Sequence, residues 1–239
     1  VGITKRYTLD LLRKKEPYIS ANGSELPGVT TIIGQLDKAA LMPWAAKVER
    51  EGVLAAIRRG EEPQKAYYYT SLRDAAANKG TAAHAMIEAA LRGWEFDPGD
   101  TDPAIIEAAR PRAERYLAWM AERGEQAEAV ELKMVSESYR CGGTVDHTIL
   151  TSDGRRVLRD VKTSKSIWES HKIQVAAYAA MHEELHGPVD ACEIVWLPEA
   201  ARDFDPDKHI VTLSERERIA GRDIFEALVL VWRHMVVFK

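Results

Sequence analysis

The stretch Gly143–Lys162 reads GTVDHTILTSDGRRVLRDVK and sets two aspartates and a lysine, Asp146, Asp160 and Lys162, around one turn signal. Its pattern predicts strands over Gly143–Thr151 and Arg155–Thr163 joined by Ser152-Asp153-Gly154. A loop of that composition suits a type I turn followed by Gly154 in the left-handed conformation, a G1 bulge. Thr151 then faces Arg155, and counting back sets Asp146 opposite Asp160, with Cβ atoms roughly 4.5–5.5 Å apart. Lys162, two residues beyond Asp160, points to the same face. A two-residue Asp-Gly loop would put the carboxylates on opposite faces, so the chemistry depends on an odd-length loop. Two carboxylates that close repel unless a cation lies between them or one is protonated. Hard oxygen ligands hold Mg²⁺ or Mn²⁺, which polarises a phosphate oxygen and activates water, and a lysine orients that water or stabilises charge on the phosphate. The backbone carbonyl of Val161 is a further candidate ligand. The chemistry implied is metal-assisted phosphodiester hydrolysis. The competing reading is a surface hairpin whose lysine neutralises an aspartate.

The elements that position this hairpin follow from periodicity and capping. The chain through Gly23 reads as irregular or short strands, and Gly28–Gly34 (GVTTIIG) is apolar and β-branched. Helical patterns follow at Asp37–Gly60, with Pro43 near the first turn, at Ala-rich Thr70–Gly93, and at Pro103–Gly124. In the last of these Asp102 is a plausible N-cap, Pro103 occupies the first helical position, and Pro111 could kink or split the helix. Ala129–Ser138 alternates like a strand, with Val130, Leu132 and Met134 on one face. Ser170–His186 returns to helical spacing, with Ile173, Ala177, Ala180 and Leu185 on its apolar side and Gly187 as the stop. Strands are predicted at Val189–Leu197 and His209–Leu213. Ser214 with Glu217 forms a capping box for a final helix. The order predicts an α/β fold, a central mixed β-sheet flanked by helices, with an N-terminal helical part packed on it.

Bulk properties narrow the function without deciding it. The 239 residues are 46% hydrophobic and 29% charged, enough for one domain with a real core. No apolar run approaches the ~18 residues of a membrane span, and Val1–Asp10 lacks the apolar segment of an export signal, so a cytoplasmic protein with no membrane partner is expected. The two cysteines, Cys141 and Cys192, cannot make a four-cysteine zinc or iron–sulfur site within this chain. A net charge of −4 argues against a protein that coats nucleic acid electrostatically. A nuclease whose carboxylates are neutralised by cations is compatible with it.

Other residues gain meaning by their position. His84 lies in Gly80-Thr81-Ala82-Ala83-His84, among small side chains, with Glu88 one turn on. A satisfied, partly buried histidine is the competing reading. Gln174 and Tyr178 sit at i and i+4 and share a helix face, which ordinary amphipathic packing also explains.

GTAAH, GGTVD, DVKTS and QVAAY occur in this order, and together they resemble the four motifs of RecB-type nucleases in the PD-(D/E)xK superfamily. Pro27-Gly28-Val29-Thr30 is similar to a segment that precedes the first helix in phage exonucleases and the mitochondrial genome-maintenance exonuclease. The resemblance runs from about Leu26 to Met181. It implies a restriction-endonuclease-like core, with residues 125–239 as the sheet-containing part and 37–124 as a mainly helical, cap-like part of the same domain. It also implies that His84, Asp146 and Asp160 are metal ligands and Lys162 the catalytic lysine. Gln174 and Tyr178 would support the site or contact DNA, and Thr163 and Ser164 would bond a phosphate. Glu131 is a further acidic candidate, with Glu137 competing for that place and a structural salt bridge as the alternative. Arg73, Lys79, Lys165 and Lys172 are candidate backbone contacts, or a solvated helix face. Trp44 and the Tyr67-Tyr68-Tyr69 run are candidates for stacking on bases, or for packing. The resemblance implies a stand-alone DNA exonuclease without an iron–sulfur cluster, acting on single strands or DNA ends in phage replication, recombination or repair. An endonuclease of the same fold, a silent nucleic-acid-binding protein and an RNA nuclease are the competing readings.

Overall fold

The computed structural model describes residues 5–8, 16–36, 41–62, 68–199, 203–235 and 237. Asp37, where the first long helix was expected to begin, Tyr67, and most of Val1–Lys15 lie outside the described residues. The strands are β1 (Arg6–Thr8), β2 (Tyr18–Ile19), β3 (Glu25–Leu26), β4 (Glu95–Asp97), β5 (Gln126–Ser136), β6 (Cys141–Leu150), β7 (Arg156–Lys162), β8 (Ala191–Trp196) and β9 (Ile210–Thr212). The helices are α1 (Val29–Ile33), α2 (Leu41–Arg58), α3 (Tyr68–Leu91), α4 (Pro103–Glu122), α5 (Glu169–His186), α6 (Pro206–His209) and α7 (Glu215–Met235).

The last five strands form one mixed sheet in the order β5-β6-β7-β8-β9. Only the β7–β8 pair is parallel, and α5 supplies the crossover such a pair requires. β1 pairs with β4, and β2 with β3, in two small separate sheets. Helices α1, α5 and α7 cover one face of the main sheet, over Met134, Val145, Leu158, Cys192 and Ile194. Helices α3 and α4 cover the other, over Ile149, Val157, Val161 and Val195. Among the described residues no helix is long and apolar enough to cross a membrane.

Local chemistry accounts for the helix limits. Asp102 accepts from Ala104 N–H at 2.9 Å and Pro103 opens α4, which continues through Pro111. Ser214 and Glu217 bond reciprocally, Ser214 N–H to Glu217 Oε2 at 2.9 Å and Glu217 N–H to Ser214 Oγ at 3.3 Å, and start α7. Gly28–Gly34 forms α1, a single helical turn whose Val29, Ile32 and Ile33 enter the core, despite its β-branched composition.

Two expectations change. Leu185 is 41% exposed, in a last turn of α5, residues 183–186, that is exposed throughout, while the earlier residues 173–179 are buried. Val130 does not share the face of Leu132 and Met134: it lines a cleft beside His84, while the other two join the opposite core. The reason is Glu131, whose φ of 51° interrupts strand alternation between them.

Candidate active site

The hairpin geometry sets the centre of the site. Thr151 N–H donates to Arg155 O at 2.9 Å, Gly154 N–H to Thr151 O at 2.9 Å, and Gly154 has a φ of +83°. Ser152-Asp153-Gly154 is therefore the three-residue loop with a left-handed glycine that the composition suggests. The β6–β7 register runs from Leu150↔Arg156 to His147↔Arg159 and ends there, one step short of Asp146 and Asp160; beyond it Val161 N–H turns to the Asp146 side chain. On the other side, Val130↔His147 and Leu132↔Val145 place Glu131 opposite Asp146. Glu131, Asp146 and Asp160 are thus carried by the neighbouring strands β5, β6 and β7.

Each carboxylate is held differently. Asp146 Oδ2 accepts from Val161 N–H at 2.6 Å, and its Oδ1 lies 3.4 Å from His84 Nδ1. Burial disfavours the Asp146 charge, but His84, Lys162 and the Val161 N–H outweigh it and hold the carboxyl well below the usual range. The same pairing raises His84 above an ordinary histidine against the effect of burial. Asp160 is only 2% exposed. Its burial outweighs the attraction of Lys162 and pushes its carboxyl up to about 6. Burial, then the Asp146 and Glu88 carboxylates, push Glu131 up to about 8.

Lys162 Nζ sits 2.5 Å from Asp160 Oδ2, but off the direction of a hydrogen bond, so this buried oxygen has a charge beside it and no hydrogen-bond partner. An orphaned buried carboxylate oxygen is costly, and it is the feature a cation would satisfy. Among the described residues no three His, Cys, Asp or Glu side chains are gathered into a ready-made metal cage. Mg²⁺ does not need one, since it is commonly bound by one or two carboxylates plus water and substrate phosphate. The donor set of His84, Asp146 and Asp160 fits such an ion. A cavity of about 10 Å³ between His84, Glu88, Val130, Glu131 and Asp146 gives room for a single water or small cation.

Helix α3 brings His84 to the strands because Gly80, one turn earlier, has no side chain. A Cβ there would lie 2.6 Å from Thr163 Oγ1, so the glycine lets α3 close over the end of β7. The small-residue run thus admits Thr163. On the opposite face Gly143 admits the Tyr178 ring, since a Cβ would lie 2.6 Å from it. Gln174 Nε2 donates to Tyr178 Oη at 2.9 Å, and both side chains are buried. Burial and then the Asp160 charge raise the Tyr178 phenol, which places it within the field of the site.

Other sequence candidates have different surroundings. Glu88 is buried with both oxygens engaged, by Tyr7 Oη and by Arg92 Nε. Ser164 Oγ donates to Ser166 O at 2.8 Å, and Ser164 O accepts from Trp196 Nε1 at 2.8 Å, so Ser164 anchors the loop after β7. Lys79 pairs with Glu199 at 2.7 Å and Lys172 with Glu217 at 2.6 Å. Arg73 pairs with Asp74 at 2.9 Å. Glu137 accepts from Ala21 N–H and from Arg140 at the β5–β6 turn.

Sequence reading missed a buried polar network behind Asp146. His147 Nε2 and Tyr116 Oη are 2.6 Å apart, and Arg159 reaches Tyr116 Oη at 3.4 Å. Arg159 also bonds Glu125 at 2.5 and 3.2 Å and Glu193 at 2.7 Å. Arg159 thus ties β7 to β8 and to the chain before β5, while the His147–Tyr116 contact holds β6, the strand of Asp146, against α4. The available signal was that His147 and Arg159 flank the two aspartates on strands expected to be buried.

A family profile described as the PD-(D/E)XK nuclease superfamily matches residues 53–236, from the middle of α2 to the end of α7. The chain belongs to the PD-(D/E)XK nuclease superfamily. The five-stranded mixed sheet with helices on both faces matches the nuclease fold of that superfamily, and its members use divalent metal ions. None of the curated proteins matches the chain. Among solved structures, a protein provisionally named an exonuclease from Eubacterium rectale is 11% identical, with a TM-score of 0.41, covering 62% of this chain and 64% of that one. The alkaline exonuclease LHK-Exo from Laribacter hongkongensis is 15% identical, with a TM-score of 0.31, covering 73% of this chain and 88% of that one. The chain spans less than two thirds of the length of the Eubacterium rectale protein. At these values the likenesses add nothing to the assignment, which the profile match carries.

Proposed function

We propose that this PD-(D/E)XK family member is a metal-dependent deoxyribonuclease that removes nucleotides from DNA ends, with Asp146, Asp160 and Lys162 as its catalytic centre. The observation that carries this reading is the buried Asp160, with Lys162 Nζ 2.5 Å from its Oδ2, next to an Asp146 carboxylate that Val161 N–H and His84 hold. His84, Asp146, Asp160 and the Val161 carbonyl would hold Mg²⁺ or Mn²⁺. A divalent ion held there neutralises the carboxylates and polarises the scissile phosphate. Lys162 then orients the attacking water and donates to the phosphate oxygen that gains charge. Val161 N–H fixes the Asp146 carboxylate, and Tyr178 and Gln174 brace the opposite side of the site. Single-stranded or resected DNA is the expected substrate, in replication, recombination or repair within the cell, in a phage setting for example, and the helical part over residues 37–124 would act as the cap over the strand.

The deciding experiment is cleavage of 5′-labelled and 3′-labelled linear single-stranded DNA beside a circular control, with Mg²⁺, Mn²⁺ or EDTA. Metal-dependent loss of the linear strands alone is the expected result, and the label released first gives the polarity. Cutting of the circle would make the enzyme an endonuclease of the same fold. No cleavage with either metal would overturn the assignment.

His84→Ala is expected to weaken Mn²⁺ binding by at least about 10-fold in a calorimetric titration, since a ligand and its partner to Asp146 are lost together. Unchanged binding would return His84 to a packing role.

A further inference from the structure

The aromatic residues near the start of α3 separate into two kinds. Tyr68 is packing: its ring lies over Gly52 of α2, where a Cβ would be 2.2 Å from the ring. Tyr69 is directed elsewhere. Its ring meets Trp44 of α2 edge-on, with centroids 5.2 Å apart, and both are half-buried. Glu49 fixes this arrangement by accepting from Tyr69 N–H at 2.8 Å in the first turn of α3.

Two exposed cations border the pair. The Arg73 guanidinium lies 5.8 Å from the Tyr69 ring centre, and Lys165 Nζ lies 5.8 Å from that of Trp44. Among the described residues Lys165 makes no salt bridge, whereas Arg73 pairs only with its exposed neighbour Asp74. Contacts of this kind at exposed sites are weak and readily exchanged. The cluster is also continuous with the active site. Lys165 is three residues beyond Lys162, in the loop that Ser164 and Trp196 anchor. Tyr69, Arg73, Gly80 and His84 are spaced by four, seven and four residues and share one face of α3. That stripe meets Asp146 at His84, closes on Thr163 at Gly80, and runs on through Arg73 to Tyr69, about 22 Å along the helix from His84.

We infer that Trp44 and Tyr69 form a base-stacking platform for single-stranded DNA, with Arg73 and Lys165 taking the flanking phosphates as the strand leads to Lys162. This rests on the nuclease reading and specifies its substrate: a strand with several unpaired bases beyond the scissile phosphate, enough to span the length of α3 between His84 and Tyr69. Aromatic faces beside mobile cations are the recurring means of holding single strands without sequence preference. A duplex has its bases stacked on one another and offers none to the platform.

The test is binding of a fluorescein-labelled oligothymidine, and of a 2-aminopurine strand, to the full chain in EDTA so that no cleavage intervenes. Trp44→Ala is expected to raise the Kd about 5- to 150-fold and to abolish the change in 2-aminopurine emission, while Trp44→Phe restores most of the affinity. Arg73→Ala and Lys165→Ala should each lower the slope of log K against log salt by about 0.7. Equal binding of a matched RNA strand would support the platform, because stacking does not read the sugar. Single-strand binding that Trp44→Ala leaves intact would overturn the platform and leave the nuclease reading standing, as would duplex cleavage without single-strand binding. Absence of both binding and cleavage would remove the two together.

Discussion

Asp160→Asn and Lys162→Ala are each expected to lower DNA cleavage by on the order of 10³-fold or more, with folding and most DNA affinity kept. The two act through one arrangement. Lys162 is the cation nearest the buried Asp160 oxygen, and burial makes the Asp160 charge costly to keep. Removing either takes away charge stabilisation that matters only when the phosphate gains charge, so kcat should fall while the Kd for DNA in EDTA changes little. The stability readout separates this from a structural role. Asn keeps the shape of Asp160 and discards a buried charge with an unbonded oxygen, so Asp160→Asn should melt no lower than the parent in EDTA, and higher by about 2–4 °C for each kcal/mol relieved. A variant that keeps its activity, or that loses activity only by unfolding, would refute the assigned centre.

Arg159→Ala is expected to do the reverse: to destabilise the whole domain by about 3–5 kcal/mol, with a melting point lower by roughly 6–20 °C. Arg159 is 2% exposed and holds Glu125 and Glu193 from the same guanidinium, over the Trp119 ring at 4.8 Å. Truncation leaves Glu193, at 15% side-chain exposure, without its cation, and Glu125, at 1%, with Arg123 alone. Replacing all three with apolar residues of similar volume should recover much of the loss, since a well-packed apolar cluster serves about as well as a buried ion network. Thermal denaturation of the single and triple variants is the check. A shift below about 2 °C for Arg159→Ala would mean that Glu125 and Glu193 reach solvent once the arginine is gone.

The active hairpin was legible because its information is local. Ser152-Asp153-Gly154 specifies one loop length and one left-handed glycine, and the register from Leu150↔Arg156 to His147↔Arg159, next to Asp146 and Asp160, follows by counting. Helix caps at Asp102 and Ser214 were legible for the same reason. What escaped was written across the chain. Nothing in AVELKM marks Glu131 for a left-handed backbone, so Val130 was expected beside Leu132 and lies instead by His84. Tyr7 gives no sign that it will bond Glu88, nor Glu125 that it will meet Arg159, because neither pairing has any local spacing to betray it. The GVTTIIG turn reads as β-branched, yet the core it enters makes it helical. Charged surface residues escaped differently: Lys79 and Lys172 flank the motifs, but their ion pairs depend on Glu199 and Glu217, far along the chain.

The closure of α3 on Thr163 through Gly80 also bears on when the chain becomes dangerous. His84 emerges from the ribosome well before Asp146, Asp160 and Lys162, and it is seated only when the bare glycine lets the helix settle over strands made later. Contacts of such sequence separation form slowly and late in folding. A partly synthesised or half-folded chain therefore has the residues of the proposed centre in separate pieces. On the proposed assignment, the docking step that completes the fold would also complete the catalytic centre.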